Sequence, residues 1–309
     1  MYKGTDALIG KFLLSLPREK NKCFVCDWPE PLLLQTGKSA DLITPHPSFS
    51  MRPLILVTND DGIVAPGIRT LVEIASELGD VAVVAPDSPQ SGKGHAISIH
   101  DPLRLKHVRV FPGVDAWECS GTPVDCVKLA KHVLLKDRPI ALCVSGINHG
   151  SNASINIIYS GTMSAAMEAS VEGIRSIGFS LLDFSFDADF RPCRPWVRKI
   201  MEYALQNDFG ETKLLNVNIP RAESGPIRGM RICHQAKGHW REKFVEGRDP
   251  SGQPYYWLAG EFINTDESEE SDIYALRNNY ISIVPSMHDL TCYESIEHIR
   301  VLENMDAAV

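Results

Sequence analysis

Short apolar runs that break abruptly into polar or small residues recur along the chain from residue 54 onward. The first, Leu54-Ile55-Leu56-Val57, ends in Thr58-Asn59-Asp60-Asp61-Gly62. A continuous apolar run of this length reads as a strand buried on both faces, as in a parallel sheet. Ile68, Leu71, Val72, Ala75 and Leu78 then share one helical face, with Pro66 at the start and Gly79 at the end. Val81 to Ala85 predicts a second buried strand. Strand, helix and strand in this order make a right-handed βαβ unit.

The alternation continues. Residues 103–110 and 114–119 predict two strands paired antiparallel across Pro112-Gly113. Thr122-Pro123 opens a helix, with Thr122 as N-cap and Asp125 as its capping-box partner. Ile140 to Val144 is a strand that breaks into polar and small residues from Ser145 to Asn152, and a loop follows. Tyr159-Ser160-Gly161-Thr162 leads into a helix with Met163, Ala166, Met167, Ser170 and Val171 on one face. Residues 176–182 predict a strand, the segment around Val197 to Leu205 a helix, and Leu214 to Ile219 a strand. Strands and helices alternating in this way define the α/β class, a Rossmann-like doubly wound sheet that is mostly parallel.

The C-terminal third departs from that rhythm. Met230 to Cys233, residues 240–245 and Tyr255 to Leu258 read as strands, the last two joined by a turn at Asp249-Pro250-Ser251-Gly252. An isolated aromatic hairpin is marginal alone, which predicts packing on another subunit. Thr265 to Asp272 reads as a solvated acidic loop, Tyr280 to Val284 as a strand, and a closing helix starts near residue 293. Residues 1–50 lack periodicity and read as a disordered extension. The expected organisation is therefore an extension over 1–50, one α/β domain over 51–302 and a short tail over 303–309. Met51 is a candidate alternative start.

Composition narrows the function. Of 309 residues, 44% are hydrophobic and 23% charged, which is ordinary for a globular protein. The net charge of -8 implies no broad basic surface, so polymeric nucleic acid is not an expected partner. No apolar run approaches the roughly 20 residues of a membrane span. The eight cysteines lie scattered, several in apolar runs, and read as reduced core residues. Cys23 and Cys26 form one C-x-x-C with no second pair at zinc spacing. These features predict a cytoplasmic protein, with organellar targeting through residues 1–50 as the alternative.

The chemistry gathers at strand ends. In open α/β sheets ligands bind beyond the carboxyl ends of the strands. Asp60 and Asp61 end the first strand, and Gly62 permits the sharp exit. Ser91-Gly92-Lys93-Gly94 lies in the loop after the second, and Asn148 follows the strand at 140–144. Two carboxylates, a hydroxyl and an amide oxygen are hard donors, which favours Mg²⁺, Mn²⁺ or Ca²⁺ over zinc. Two carboxylates neutralise one divalent cation, so a phosphate dianion needs further donors. The helix start at Ser160-Gly161-Thr162 and the loop at Ser91-Gly92 supply them. A metal beside an anion pocket, with no separate nucleophile, points to hydrolysis by water. His95 and His149 can assist proton transfer but stand outside this set.

Five ordered stretches carry a family resemblance: Val57-Thr58-Asn59-Asp60-Asp61-Gly62 with Ala65-Pro66-Gly67; Val84-Ala85-Pro86 with Ser91-Gly92; Gly121-Thr122-Pro123 with Asp125-Cys126; Val144-Ser145-Gly146-Ile147-Asn148 with Gly150; and Tyr159-Ser160-Gly161-Thr162 with Ala165-Ala166 and Glu168. The chain resembles the survival protein SurE family of metal-dependent nucleotidases. The resemblance implies hydrolysis of nucleoside 5′- or 3′-monophosphates to nucleoside and phosphate. It implies one divalent cation, Mg²⁺ or Mn²⁺, held by Asp60, Asp61, Ser91 and Asn148, and a homodimer or homotetramer with exchanged C-terminal elements. The expected site is then Asp60 and Asp61 as catalytic residues, with phosphate at Ser91, Gly92, Ser160, Gly161 and Thr162. Two other readings stay open on the residues themselves. One is a phosphoaspartyl phosphatase, although Asn59-Asp60-Asp61-Gly62 lacks the Asp-x-Asp pattern of such enzymes. The other is a receiver-like module without enzymatic activity.

Overall fold

β1 (Leu54–Thr58) is buried along its whole length, as its unbroken apolar run requires. β2 (Asp80–Pro86) and β5 (Ile140–His149) flank it in parallel register, Leu56 pairing with Ala82 on one side and with Cys143 on the other. The computed structural model describes residues 52–185, 187–221 and 225–305. All lie in the compact unit Ser50–Val309. The expected extension over 1–50, the Cys23–Cys26 pair and the last four tail residues fall outside the described residues.

The remaining strands are β3 (Leu105–Val108), β4 (Asp115–Cys119), β6 (Ser176–Leu181), β7 (Leu214–Ile219), β8 (Gly229–Ile232), β9 (Gly238–Arg248), β10 (Pro254–Asn264) and β11 (Tyr280–Ser286). Among the described residues, nine of the eleven strands form one sheet in the order β3-β4-β2-β1-β5-β6-β7-β11-β8. β3 runs antiparallel to β4 and β11 antiparallel to β7; the other pairs are parallel. The sheet is Rossmann-like and doubly wound, with antiparallel strands at both edges. The chain leaves β1 toward β2 and returns on its other side as β5, so the winding reverses beside β1. That is where a doubly wound sheet opens a ligand crevice.

Helices cover both faces. α1 (Pro66–Leu78) and α4 (Arg194–Gln206) pack on Ile55, Val57, Val83 and Val144. α2 (Pro123–Leu129) and α3 (Gly161–Val171) pack on Leu54, Leu56, Ala82 and Val84. Alternate residues of β1 thus feed opposite layers, each fully buried side chain contributing about 1.5–3 kcal/mol. The capping box is present at α2: Thr122 Oγ1 accepts from Asp125 N at 3.2 Å, and Asp125 Oδ2 accepts from Thr122 N at 2.9 Å. Of the described cysteines, Cys119, Cys126, Cys143, Cys193 and Cys233 are free and buried, and Cys292 is free and exposed.

Three expectations needed correction. α3 has no single apolar face: it is buried nearly all round, and Val171 is the exposed exception. Ala165 and Ala169 face the α2 layer while Met163 and Ala166 meet Ile157 and Leu214, so two neighbours claim opposite sides. The strand expected to end at Val144 runs on through Ser145 to His149, because after a bulge Asn148 and His149 pair with Ser180 and Leu181 of β6. Gly146 makes the bulge possible at φ +123°, where a Cβ would sit 2.4 Å from the Phe179 carbonyl oxygen. The acidic loop ends earlier than its charge run suggests. Asp272 is buried at the start of a helix, α5 (Asp272–Arg277).

β9 and β10 form an eleven-residue antiparallel ladder outside the main sheet, turning at Asp249 to Gly252. Asp272 fastens its base. Its carboxylate accepts from Ala236 N at 3.0 Å and from Ser154 N at 2.8 Å, and Ser154 Oγ donates to Ala236 O at 2.7 Å. Burial raises the Asp272 pKa, while the backbone N–H donors work against that rise. α6 (Tyr293–Ile299) follows and buries no residue.

Candidate active site

The turn after β1 is built by Asn59. Its Nδ2 donates to the Gly62 carbonyl at 2.9 Å, and Gly62 takes φ +97°. This reversal puts Asp60 and Asp61 at the crevice instead of on opposite faces of a continuing strand. Asp60 is buried and its Oδ1 accepts from the Thr162 hydroxyl. Burial pushes its carboxyl up to about 6. The Thr162 contacts oppose that rise, and the neighbouring Asp61 charge adds to it. Asp61 keeps about a fifth of its side chain in solvent, 19%. Its Oδ2 lies 3.3 Å from His149 Nδ1. An ionised carboxylate only accepts, so the imidazole N–H donates. The His149 ring is held edge-on to Phe190, with centroids 5.0 Å apart.

The α3 N-terminus meets Asp60 directly. Ser160 caps the helix by accepting from Met163 N at 3.0 Å. Gly161 lies so close that a Cβ there would stand 2.6 Å from Asp60 Cβ. Thr162 therefore reaches the site through Asp60. The first N–H groups of the helix and its positive dipole end face the same place.

The loop after β2 folds back onto the same turn. Ile63 N donates to Pro86 O at 3.0 Å and Gln90 N to Asp60 O at 2.7 Å, so Ser91 and Gly92 follow immediately, both exposed. Farther along, Ser98 Oγ donates to Asp125 Oδ2 at 2.7 Å, and Thr122 Oγ1 donates to Ala96 O at 2.7 Å. His95 Nε2 lies 2.9 Å from Glu168 Oε2, and Lys128 pairs with the other Glu168 oxygen. Burial works to raise the Glu168 pKa, but the His95 and Lys128 contacts prevail and hold it below its ordinary value. Asp125 and Glu168 thus act as anchors for the loop that carries Ser91.

Asn148 stands on β5 beside His149. Its Nδ2 donates to Gly150 O at 3.0 Å, which leaves Oδ1 as the available donor atom. Asp60, Asp61, Ser91, Asn148 and the α3 N-terminus all belong to the carboxyl edge around β1. Asp60 and Thr162 touch, as do Asp61 and His149; Ser91 and Asn148 are placed by their backbone neighbours. His149 is the contact that sequence reasoning left out of the set, although its place next to Asn148 was a usable signal. Gln90 and Asp272 gave no such signal, because each acts through backbone contacts.

The residues fit a hard divalent cation. Asp60 is a buried carboxylate whose ionised form is disfavoured until a positive charge stands beside it. Buried side-chain atoms without a hydrogen-bond partner among the described residues also gather here: Thr58 Oγ1, Asn59 Oδ1, Ser145 Oγ and His149 Nε2. Thr58 and Ser145 are register partners on β1 and β5.

A doubly wound sheet that sets paired carboxylates against a helix N-terminus at its switch point is a protein class built to hold a cation beside an anion. The family model described as Survival protein SurE matches residues 55–242. The chain is 56% identical over 249 residues to a protein named 5′-nucleotidase SurE from Cytophaga hutchinsonii, covering 81% of this chain and 96% of that one. It is 54% identical over 250 residues to one of the same name from Christiangramia forsetii, covering 80% and 96%. A crystal structure of the SurE protein from Aquifex aeolicus superimposes with a TM-score of 0.69 at 37% identity, covering 81% of this chain and all of that one. The chain belongs to the survival protein SurE family.

Proposed function

We propose that this protein is a phosphoric monoester hydrolase, a 5′-nucleotidase that releases phosphate from nucleoside 5′- or 3′-monophosphates. Its closely similar relatives carry the name 5′-nucleotidase SurE. The observation that carries the reading is the meeting of Asp60, Asp61 and the α3 N-terminus at one point. Asp60, Asp61, Ser91 and Asn148 would hold one divalent cation, Mg²⁺ or Mn²⁺. When bound, it would supply Lewis-acid activation of the phosphate and a template for in-line attack by water. Ser160 and Gly161 at the helix start, with Ser91 and Gly92, bind the phosphate oxygens. Thr162 fixes Asp60, so Asp60 serves chiefly as a holding group. Asp61 is the more open carboxylate and is oriented by His149, so it positions the attacking water and takes its proton.

Phosphate release from a panel of nucleoside monophosphates tests this. We expect turnover with Mn²⁺ or Mg²⁺, complete loss in EDTA and recovery when either metal is returned. No release from any nucleoside monophosphate with metal present overturns the proposal and revives the receiver-like reading. A trapped acyl-phosphate on Asp60 or Asp61 would favour a covalent route instead.

The protein is further proposed to work as a homodimer or homotetramer. The hairpin exposes Phe244, Tyr255, Tyr256, Trp257 and Leu258, and α6 with its continuation exposes Tyr293, Ile299 and Leu302. Such area is large for a free monomer. Light scattering of the purified protein should return two or four chains per particle, and a monomer at micromolar concentration overturns the assignment. Among the described residues no helix is long and apolar enough to cross a membrane.

A further inference from the structure

The nucleotidase reading gives Asp61 the proton of the attacking water and leaves the nucleoside's departing oxygen without a proton donor. A sugar alkoxide is a poor leaving group, so its departure calls for an acid. We propose that His95, held by Glu168, is that acid and protonates the leaving oxygen as the phosphorus–oxygen bond breaks. The inference rests on the nucleotidase reading above.

Position is the first argument. The loop after β2 starts on Asp60, where Gln90 N donates to Asp60 O at 2.7 Å. It reaches the lead-in to α3, where a Cβ on Gly94 would stand 3.1 Å from the Ile158 carbonyl oxygen. Residues 90–94 therefore run from the carboxylates to the helix start, with Ser91 and Gly92 between, and His95 comes next. Gly161 and Glu168 are seven residues apart, two turns, so they share one face of α3. Gly161 abuts Asp60 on that face. The Glu168 side chain leans back toward the helix start. An imidazole nitrogen 2.9 Å from Glu168 Oε2 thus stands one turn, about 5 Å, from the N–H groups that take the phosphate.

Chemistry is the second. Glu168 is buried, and its other oxygen pairs with Lys128. Against its burial, the His95 and Lys128 contacts hold its pKa below the ordinary value, so at neutral pH it is a carboxylate and only accepts. The Nε2–H of His95 therefore donates to Glu168 and fixes the ring. Nδ1 has no hydrogen-bond partner among the described residues, and the side chain is 36% exposed. In the imidazolium Nδ1 carries the second proton.

The step balances. Water attacks phosphorus and gives one proton to Asp61. The bond from phosphorus to the nucleoside oxygen breaks, and its electron pair stays on that oxygen. The Nδ1 proton moves to it, which releases the nucleoside and leaves His95 neutral. Return of the Asp61 proton to His95 through solvent restores both groups.

The test compares AMP with p-nitrophenyl phosphate, whose phenolate departs without a proton. His95→Asn and His95→Gln should each lower the ratio of kcat/KM for AMP to that for p-nitrophenyl phosphate about 100-fold. A residue that only anchors the loop would lower both rates together, since Ser91 serves both substrates. A ratio within about threefold of the unaltered protein's in both variants overturns the proposal. A series of aryl and alkyl phosphates reads the same role a second way. The rate should fall more steeply with leaving-group basicity in His95→Asn than in the unaltered protein, and equal slopes overturn the proposal. If the unaltered protein cleaves p-nitrophenyl phosphate but no nucleoside monophosphate, the nucleotidase reading is what fails. Glycerol 2-phosphate in place of AMP then decides on His95 by the same ratio.

Discussion

Asp60→Asn is expected to remove activity and stabilise the metal-free protein at once. The loss should be on the order of 10³-fold or more in kcat, since a charge at the reacting centre disappears. The gain follows from linkage. The Asp60 carboxyl titrates at about 6 in the folded protein against an ordinary 3.8, because burial disfavours its ionised form. A raised carboxyl costs nothing below pH 3.8, where it is protonated folded or unfolded. The cost grows as pH rises toward 6 and is fully present above it. The difference corresponds to about 3 kcal/mol at neutral pH. Asparagine carries no charge and still accepts from Thr162, so the penalty goes. In EDTA at pH 7.5 the variant should melt several degrees above the unaltered protein. In saturating Mg²⁺ or Mn²⁺ the order should reverse, because the unaltered protein gains stability by binding. A variant that melts lower in EDTA, or that keeps its kcat, refutes the placement of Asp60 at a cation site.

Gly161→Ala should cost about 100-fold in kcat/KM while leaving the helical content intact. A methyl group there would stand 2.6 Å from Asp60 Cβ and 2.8 Å from Asp60 Oδ2. Neither atom belongs to a flexible chain end, since Thr162 holds the carboxylate and β1 holds the backbone. Either the helix start or Asp60 must move by about half an ångström or more. Displacement of that order at a reacting centre is worth about two orders of magnitude in rate, against roughly 1–3 kcal/mol of overpacking in stability. Alanine is a good helix former, so the far-ultraviolet spectrum should not change. Activity within threefold of the unaltered protein would show that the contact is not part of the working site.

Much of this arrangement is legible in the residues. Leu54 to Val57, Val81 to Ala85 and Ile140 to Val144 announce buried parallel strands because runs without polar interruption suit only a strand covered on both faces. The polar groups that follow each run fall at the carboxyl edge for the same reason. The α2 capping box is a local device and was readable locally. Contacts between segments distant in sequence were not. Thr162 and Asp60 are 102 positions apart, and Asp61 and His149 are 88. Val171 was misplaced because a helix packed on two sides has no single apolar stripe to read. The polar residues after Val144 mark the strand's end in the sequence, whereas pairing with β6 carries the strand on to Asn148 and His149.

The sequence by itself determined the class of fold, the family and the supply of oxygen donors, since periodicity, strand exits and ordered motifs are properties of neighbours along the chain. The tertiary structure decided what each donor is for. It buried Asp60 under Thr162 and left Asp61 open beside His149, so two adjacent carboxylates acquired different electrostatic surroundings. It also brought His95 of the loop after β2 to Glu168 of α3, 73 positions away along the chain. Electrostatics and hydrogen bonds depend on distances through space, and those exist only once the chain has closed on itself.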